Sequence, residues 1–178
     1  MYQSLYSQLG YEILSGRKFT TSQFRTLLIE NKFLELINDI YRTRLSEEGF
    51  KEISDRLLDV NDFDDYHCAL QKFEGCSPAI YKGNKIKKSA FSLGTKLLHY
   101  YNPEENPILD SNVRDNLKLG EMDLELCFEF KRATNSFVER HSDYFGRFCA
   151  STSTLQELQK RNMTNRFSKM QIIDMALY

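Results

Sequence analysis

Apolar positions recur along this chain every three to four residues, the spacing that places them on one face of a helix. Leu5, Leu9, Ile13 and Leu14 open the series, and Gly16 is placed to end that element. Thr21 or Ser22 is expected to cap a second helix carrying Phe24, Leu27, Leu28, Phe33, Leu34, Ile37 and Tyr41. Ser46 followed by Glu47 and Glu48 reads as a cap and an acidic first turn, with Phe50, Ile53, Leu57 and Leu58 as the buried stripe behind them. Asp62 or Asp64 is expected to start a short helix through Phe73, stopped by Gly75. Residues 76–88 break the pattern: Pro78, Gly83 and Asn84 are turn residues crowded by lysines, so this stretch reads as irregular.

Ser89 is then a candidate cap for a helix through about Tyr101. Asn102-Pro103 ends it, because the residue before proline avoids the helical region. Asp110 or Ser111 caps the next helix. A longer helix is expected over 121–140, with Leu124, Cys127, Phe128 and Phe137, and a last one carries Met170, Ile173, Met175, Ala176 and Leu177. Strand signals are weak, and Pro107-Ile108-Leu109 is too short to build a sheet. The expected fold class is all-α. Residues 1–178 are expected to form one compact multi-helix domain, or two lobes with a cleft near residues 89–115.

Composition narrows the class. A hydrophobic content of 41% supports a packed core and excludes disorder. No apolar run approaches the roughly 18 residues of a membrane span, so no membrane association is expected. The first residues lack the basic and apolar blocks of a signal peptide, which points to a cytoplasmic protein, nucleoid-associated if it binds DNA. Cys68, Cys76, Cys127 and Cys149 form no C-x-x-C pair; they read as reduced, mostly buried thiols, with no metal and no cofactor expected.

The net charge of −1 argues against a strongly basic nucleic-acid binder, yet the charge is segregated. Residues 46–65 hold eight acids and two bases, while residues 78–100 hold five lysines and no acid. Residues 131–170 hold eight bases and three acids. Such blocks either build a basic face or pair with each other across the fold.

The chemistry concentrates in residues 89–115. Gly94-Thr95-Lys96 lies inside a helical pattern, and Pro107-Ile108-Leu109-Asp110-Ser111-Asn112-Val113 follows across a short loop and opens another helix. A lysine and an aspartate are thereby returned toward each other. Plainer roles also fit these residues: a solvated lysine and a helix cap.

This segment resembles the core of the helix-hairpin-helix DNA glycosylase superfamily, of the 8-oxoguanine glycosylase kind. There a Gly-x-Lys and a Pro-Val/Ile-x-Asp segment flank a helix and loop. The resemblance covers about 27 residues, 89–115, and Ser89-Ala90-Phe91-Ser92-Leu93-Gly94 has one glycine where the family has two. It implies excision of a damaged or modified base from duplex DNA. Asp110 would stabilise positive charge building on the sugar and orient water. Lys96 would be an amine nucleophile able to form a Schiff base and give lyase activity, favoured by the apolar neighbours Leu93, Leu97 and Leu98. Lys82, Lys85, Lys87, Lys88, Gly94, Thr95 and Arg114 would contact DNA phosphates. The alternative expectation is a catalytically silent module on the same scaffold, with a protein partner, acting for example in host–virus defence or counter-defence.

Overall fold

The computed structural model describes residues 18–30, 33–41, 47–81, 84–149, 151 and 169–177. The expected helix around Leu5–Leu14 and the caps and lysines at Ser46 and Lys82 lie outside these residues. The described chain is mostly helical: α1 Thr21–Glu30, α2 Phe33–Tyr41, α3 Glu47–Leu58, α4 Tyr66–Gln71, α5 Phe91–Tyr101, α6 Ser111–Asn116, α7 Leu124–Arg140, α8 Ser142–Cys149 and α9 Lys169–Leu177. One antiparallel hairpin, β1 Ser77–Tyr81 and β2 Asn84–Lys88, interrupts the helices.

The cap of α1 is Thr20 rather than Thr21 or Ser22. Its hydroxyl accepts from Gln23 N at 3.3 Å while Gln23 Oε1 accepts from Thr20 N at 3.1 Å, a reciprocal capping box. Thr21 is drawn away from capping because its hydroxyl accepts from Phe63 N at 3.2 Å and ties α1 to the 59–65 turn. Phe24 is then fully buried among Phe19, Phe33, Phe63 and Tyr101, with ring centroids 5.1 to 6.1 Å apart. These rings join α1, α2 and the end of α5. In α3, Ile53 and Leu57 are buried as the periodicity requires, but Leu58 is 47% exposed.

Asp65, not Asp62 or Asp64, caps α4 by accepting from Cys68 N at 3.0 Å. The short helix ends at Gln71, and Gly75 turns the chain with φ of +55°, a left-handed conformation that glycine adopts without a Cβ clash. The hairpin follows where the sequence pattern reads as irregular. Tyr81 pairs with Asn84, so two residues join the strands, and Ile86 pairs with Ala79. Lysines on alternate and adjacent positions mask the strand signal, while β1 packs against α3, which supplies the surface that an isolated hairpin lacks.

Ser89 does not cap α5. Its hydroxyl accepts from Gly75 N at 3.0 Å, and Ala90 holds the N-cap position with its own N–H donated to Phe73 O at 2.8 Å. The entry to α5 is therefore fixed by the chain leaving α4. Helix α5 runs through the middle of the main core and contacts α2, α4 and α7. Asp123 caps α7 through Leu126 N at 2.7 Å. A smaller apolar cluster, Val138, Phe145, Met170, Ile172 and Ile173, joins α7, α8 and α9, with Leu177 packed against both clusters.

Candidate functional site

Nearly the whole of α5 is buried, including its polar residues Thr95, Lys96 and His99. A polar side chain inside a core has to find a partner, and these three find theirs on the loop over residues 102–110. The loop runs back along α5, and each helix side chain holds one point of it. Thr95 Oγ1 donates to Leu109 O at 2.9 Å and accepts from Leu109 N at 3.2 Å. His99 Nδ1 lies 2.7 Å from Asn106 O. Because a carbonyl only accepts, Nδ1 carries the proton. Burial lowers the His99 pKa to about 4, so the ring is neutral at pH 7.

Lys96 and Asp110 close the arrangement. Lys96 Nζ is 3.1 Å from Asp110 Oδ2 and 3.3 Å from Ser92 Oγ. The two residues are 5% and 3% exposed. Asp110 is the N-cap of α6: its other oxygen, Oδ1, accepts from Asn112 N at 2.9 Å and Val113 N at 3.1 Å. The carboxylate is thus oriented by the helix start on one side and by an ammonium on the other. The expected return of lysine to aspartate is present, and one of the two plainer roles is present with it: Asp110 does cap, whereas Lys96 is tied in the interior rather than solvated.

The other side of the loop is held from α7. Lys131 Nζ donates to Asn106 Oδ1 at 2.7 Å and sits 4.3 Å from the centre of the Tyr66 ring. Asn106 Nδ2 in turn donates to Leu98 O at 2.7 Å, and Asn135 Nδ2 donates to Glu105 O at 3.1 Å. Burial lowers the Lys131 pKa, raises that of Tyr66, and pushes the Cys127 thiol up to about 12, which makes that thiol inert. Asn106, Lys131, Asn135 and His99 make the seat of the Asp110 loop, and sequence reasoning assigned none of them that task. The Asn102-Pro103 and Asn106-Pro107 steps were the available signal: a loop so short, facing a helix with polar residues at 95, 96 and 99, requires side-chain partners.

The residues expected on DNA are placed differently from one another. Gly94 is inside α5, where an added Cβ would lie 2.6 Å from Leu70 Cδ1 and 2.8 Å from Phe73 Cδ2. Its absence of a side chain lets α4 and α5 approach, and with Thr95 fully buried neither residue presents itself to a phosphate. Arg114 Nε and Nη2 donate to Asp115 Oδ1 at 3.0 and 2.8 Å. Lys87 bridges Glu52 on α3 at 3.0 Å, and this hydrogen bond is the leading cause of the lowered Glu52 pKa. At this point the lysine-rich block pairs with the acidic block 46–65. Lys88 is exposed, and the backbone of Lys85 pairs with Ile80.

Among the described residues no group of His, Cys, Asp or Glu is arranged to hold a metal, and no helix is long and apolar enough to cross a membrane. Cys68, Cys76 and Cys127 are free thiols, the last two buried. Two hollows in the described surface are lined by α1–α3 residues and by residues of α7, α9 and the 117–126 turn; neither is lined by Lys96 or Asp110. In comparison with known proteins, no family model matches the chain, and no curated protein or solved structure is significantly similar to it.

Proposed function

We propose that this chain is a DNA base-excision protein of the helix-hairpin-helix glycosylase kind, with Asp110 and Lys96 as its reacting groups. The observation that supports this reading is their meeting at 3.1 Å, with Asp110 held at the start of a helix. On this reading the ion pair is the closed form of the site, and substrate has to part it. Asp110 then faces the sugar of an extruded nucleotide and stabilises the positive charge that builds as the N-glycosidic bond lengthens. Water attacks the sugar carbon, its proton passes to the carboxylate, and the base leaves with the bonding pair. Where Lys96 attacks instead, its amine displaces the base and the ring-opened sugar becomes an imine, the intermediate of lyase chemistry. The exposed Lys88 supplies phosphate contact, and Lys87 and Arg114 exchange Glu52 and Asp115 for phosphate.

A second reading has its own observation. Both reacting groups are less than a tenth exposed, which suits a scaffold whose ion pair is structural and whose role is binding. In that case the chain is a non-catalytic module for DNA or for a protein.

Base release from a panel of duplex DNAs carrying modified bases, with borohydride trapping on abasic DNA, separates the readings. Asp110→Asn alone is an ambiguous control, because it takes the Asp110 charge away from a buried ammonium. The paired variant Lys96→Met with Asp110→Asn removes both charges and keeps a capping side chain. Release by the native chain that is lost in the folded paired variant supports excision. No release, with DNA binding that weakens steeply with salt, leaves the module reading for nucleic acid, and no binding at low salt leaves a protein partner.

A further inference from the structure

Lys131 on α7 holds its amine among neutral groups. Its contacts are Asn106 Oδ1 at 2.7 Å and the face of the Tyr66 ring, 4.3 Å to the centre, and among the described residues no carboxylate bonds to it. An uncharged amine can donate an N–H to either group, so neither requires the nitrogen to stay charged. The side chain is half-buried, which penalises the charge and still leaves it in contact with solvent. Burial is the leading cause of the lowered Lys131 pKa; Glu105 on the loop and Asp64 before α4 oppose it, and Lys18 adds to it. Other amines of the chain are placed differently. Lys96 is sealed against Asp110, Lys18 and Lys87 are bound to Asp64 and Glu52, and Lys88 is exposed.

A half-desolvated amine that gives up its proton is a nucleophile for electrophilic carbon. The surroundings of Lys131 select which carbon it takes. Acylation would leave a neutral amide and remove the cation that the Tyr66 face and Asn106 Oδ1 accommodate. Condensation with an aldehyde restores it. The amine adds to the carbonyl carbon, the carbonyl oxygen leaves as water, and the imine nitrogen takes up a proton. The protonated imine keeps one N–H for Asn106 Oδ1 and a positive charge over the Tyr66 ring. We propose that Lys131 is an imine-forming amine whose ligand is a small aliphatic aldehyde. The site is separate from Lys96 and Asp110, and its test contains no DNA, so it stands or falls without the excision reading.

In the test, the full chain is equilibrated with butyraldehyde, a pulse of sodium borohydride fixes the imine present, and peptide mass mapping reads the occupancy of each lysine. At about pH 7, Lys131 is expected to lead the exposed Lys88 by about threefold or more. Because the lead reflects a larger neutral fraction, it is expected to shrink as pH rises to about 10, where a lysine amine in water is also losing its proton. Acetyl phosphate, an acyl donor, is the counter-test, and the lead of Lys131 there is expected to be smaller. Lys131→Arg, which keeps a donor for Asn106 Oδ1, is expected to remove the leading butyraldehyde adduct and leave that on Lys88. Occupancy at Lys131 no greater than at Lys88 near neutral pH overturns the proposal. So does a lead that is undiminished at high pH, or one as large with acetyl phosphate as with butyraldehyde.

Discussion

Lys18 and Asp64 meet at 2.7 Å on the surface, while Lys96 and Asp110 meet at 3.1 Å in the interior. The first pair has side chains 49% and 48% exposed, the second 6% and 4%. The shorter bridge is the weaker structural element. Water competes for both ends of Lys18–Asp64, and the mutual hydrogen bond, which lowers the Asp64 pKa and raises that of Lys18, connects two groups that are well solvated apart. Neither end of Lys96–Asp110 has that alternative. Its members left water on folding, and each is held by the other together with Ser92 Oγ at the ammonium and the Asn112 and Val113 N–H groups at the carboxylate. Burial, not distance, ranks the two.

The largest expected effect tests the buried pair. Asp110→Ala removes the charge partner of Lys96 and the cap of α6 together, and is expected to cost about 3 to 5 kcal/mol in urea unfolding. Asp110→Asn restores the cap only, so it should recover about 1 kcal/mol of that loss. Recovery of nearly all of it would mean that Asp110 is a cap and that Lys96 reaches water once released.

The next effect concerns the same wall of α5. His99 titrates near 6.5 in the unfolded chain and at about 4 in the folded one. The unfolded state therefore binds the extra proton between those values. The contribution of a neutral His99 is fully present above about pH 6.5 and is lost as pH falls to about 4, a total of about 3 kcal/mol. Urea unfolding across that window should show this slope in the native chain and lose it in His99→Gln, which retains a donor for Asn106 O. An unchanged slope would place the acid sensitivity elsewhere.

The smallest effect belongs to the surface pair. Lys18→Met is expected to change stability by less than about 1 kcal/mol, and by less still in high salt. A loss comparable to that of Asp110→Ala would abolish the distinction drawn between the two bridges.

Much of this was legible beforehand, and the failures share a cause. Ile53 and Leu57 are buried as their spacing implies and Asp110 caps as its position before Ser111-Asn112-Val113 implies, whereas the single helix expected to carry Phe24 through Tyr41 is two, α1 and α2, and Leu58, Phe128 and Phe137 are exposed. The misplaced features are those where a residue had two local options and a distant group chose. Thr21 was taken from capping by Phe63 N, and Ser89 by Gly75 N. The 77–88 stretch became a hairpin because α3 offered β1 a face to pack on. Gly94 looked like a backbone contact for a phosphate and is a contact between helices, as Leu70 and Phe73 leave no room for a Cβ.

The mostly helical character, the recurrence of most core positions and the return of a lysine and an aspartate toward each other across residues 97–109 follow from the amino-acid order alone. These depend on periodicity and on the local chemistry of caps and prolines, which act over a few residues. Tertiary packing set the rest: the pair is sealed from water, and Asn106 and Lys131 seat the loop. Solvation and hydrogen-bond partners at such points are set by whichever elements pack there, and elements such as α5 and α7, whose Leu98 and Lys131 both bind Asn106, are far apart along the chain.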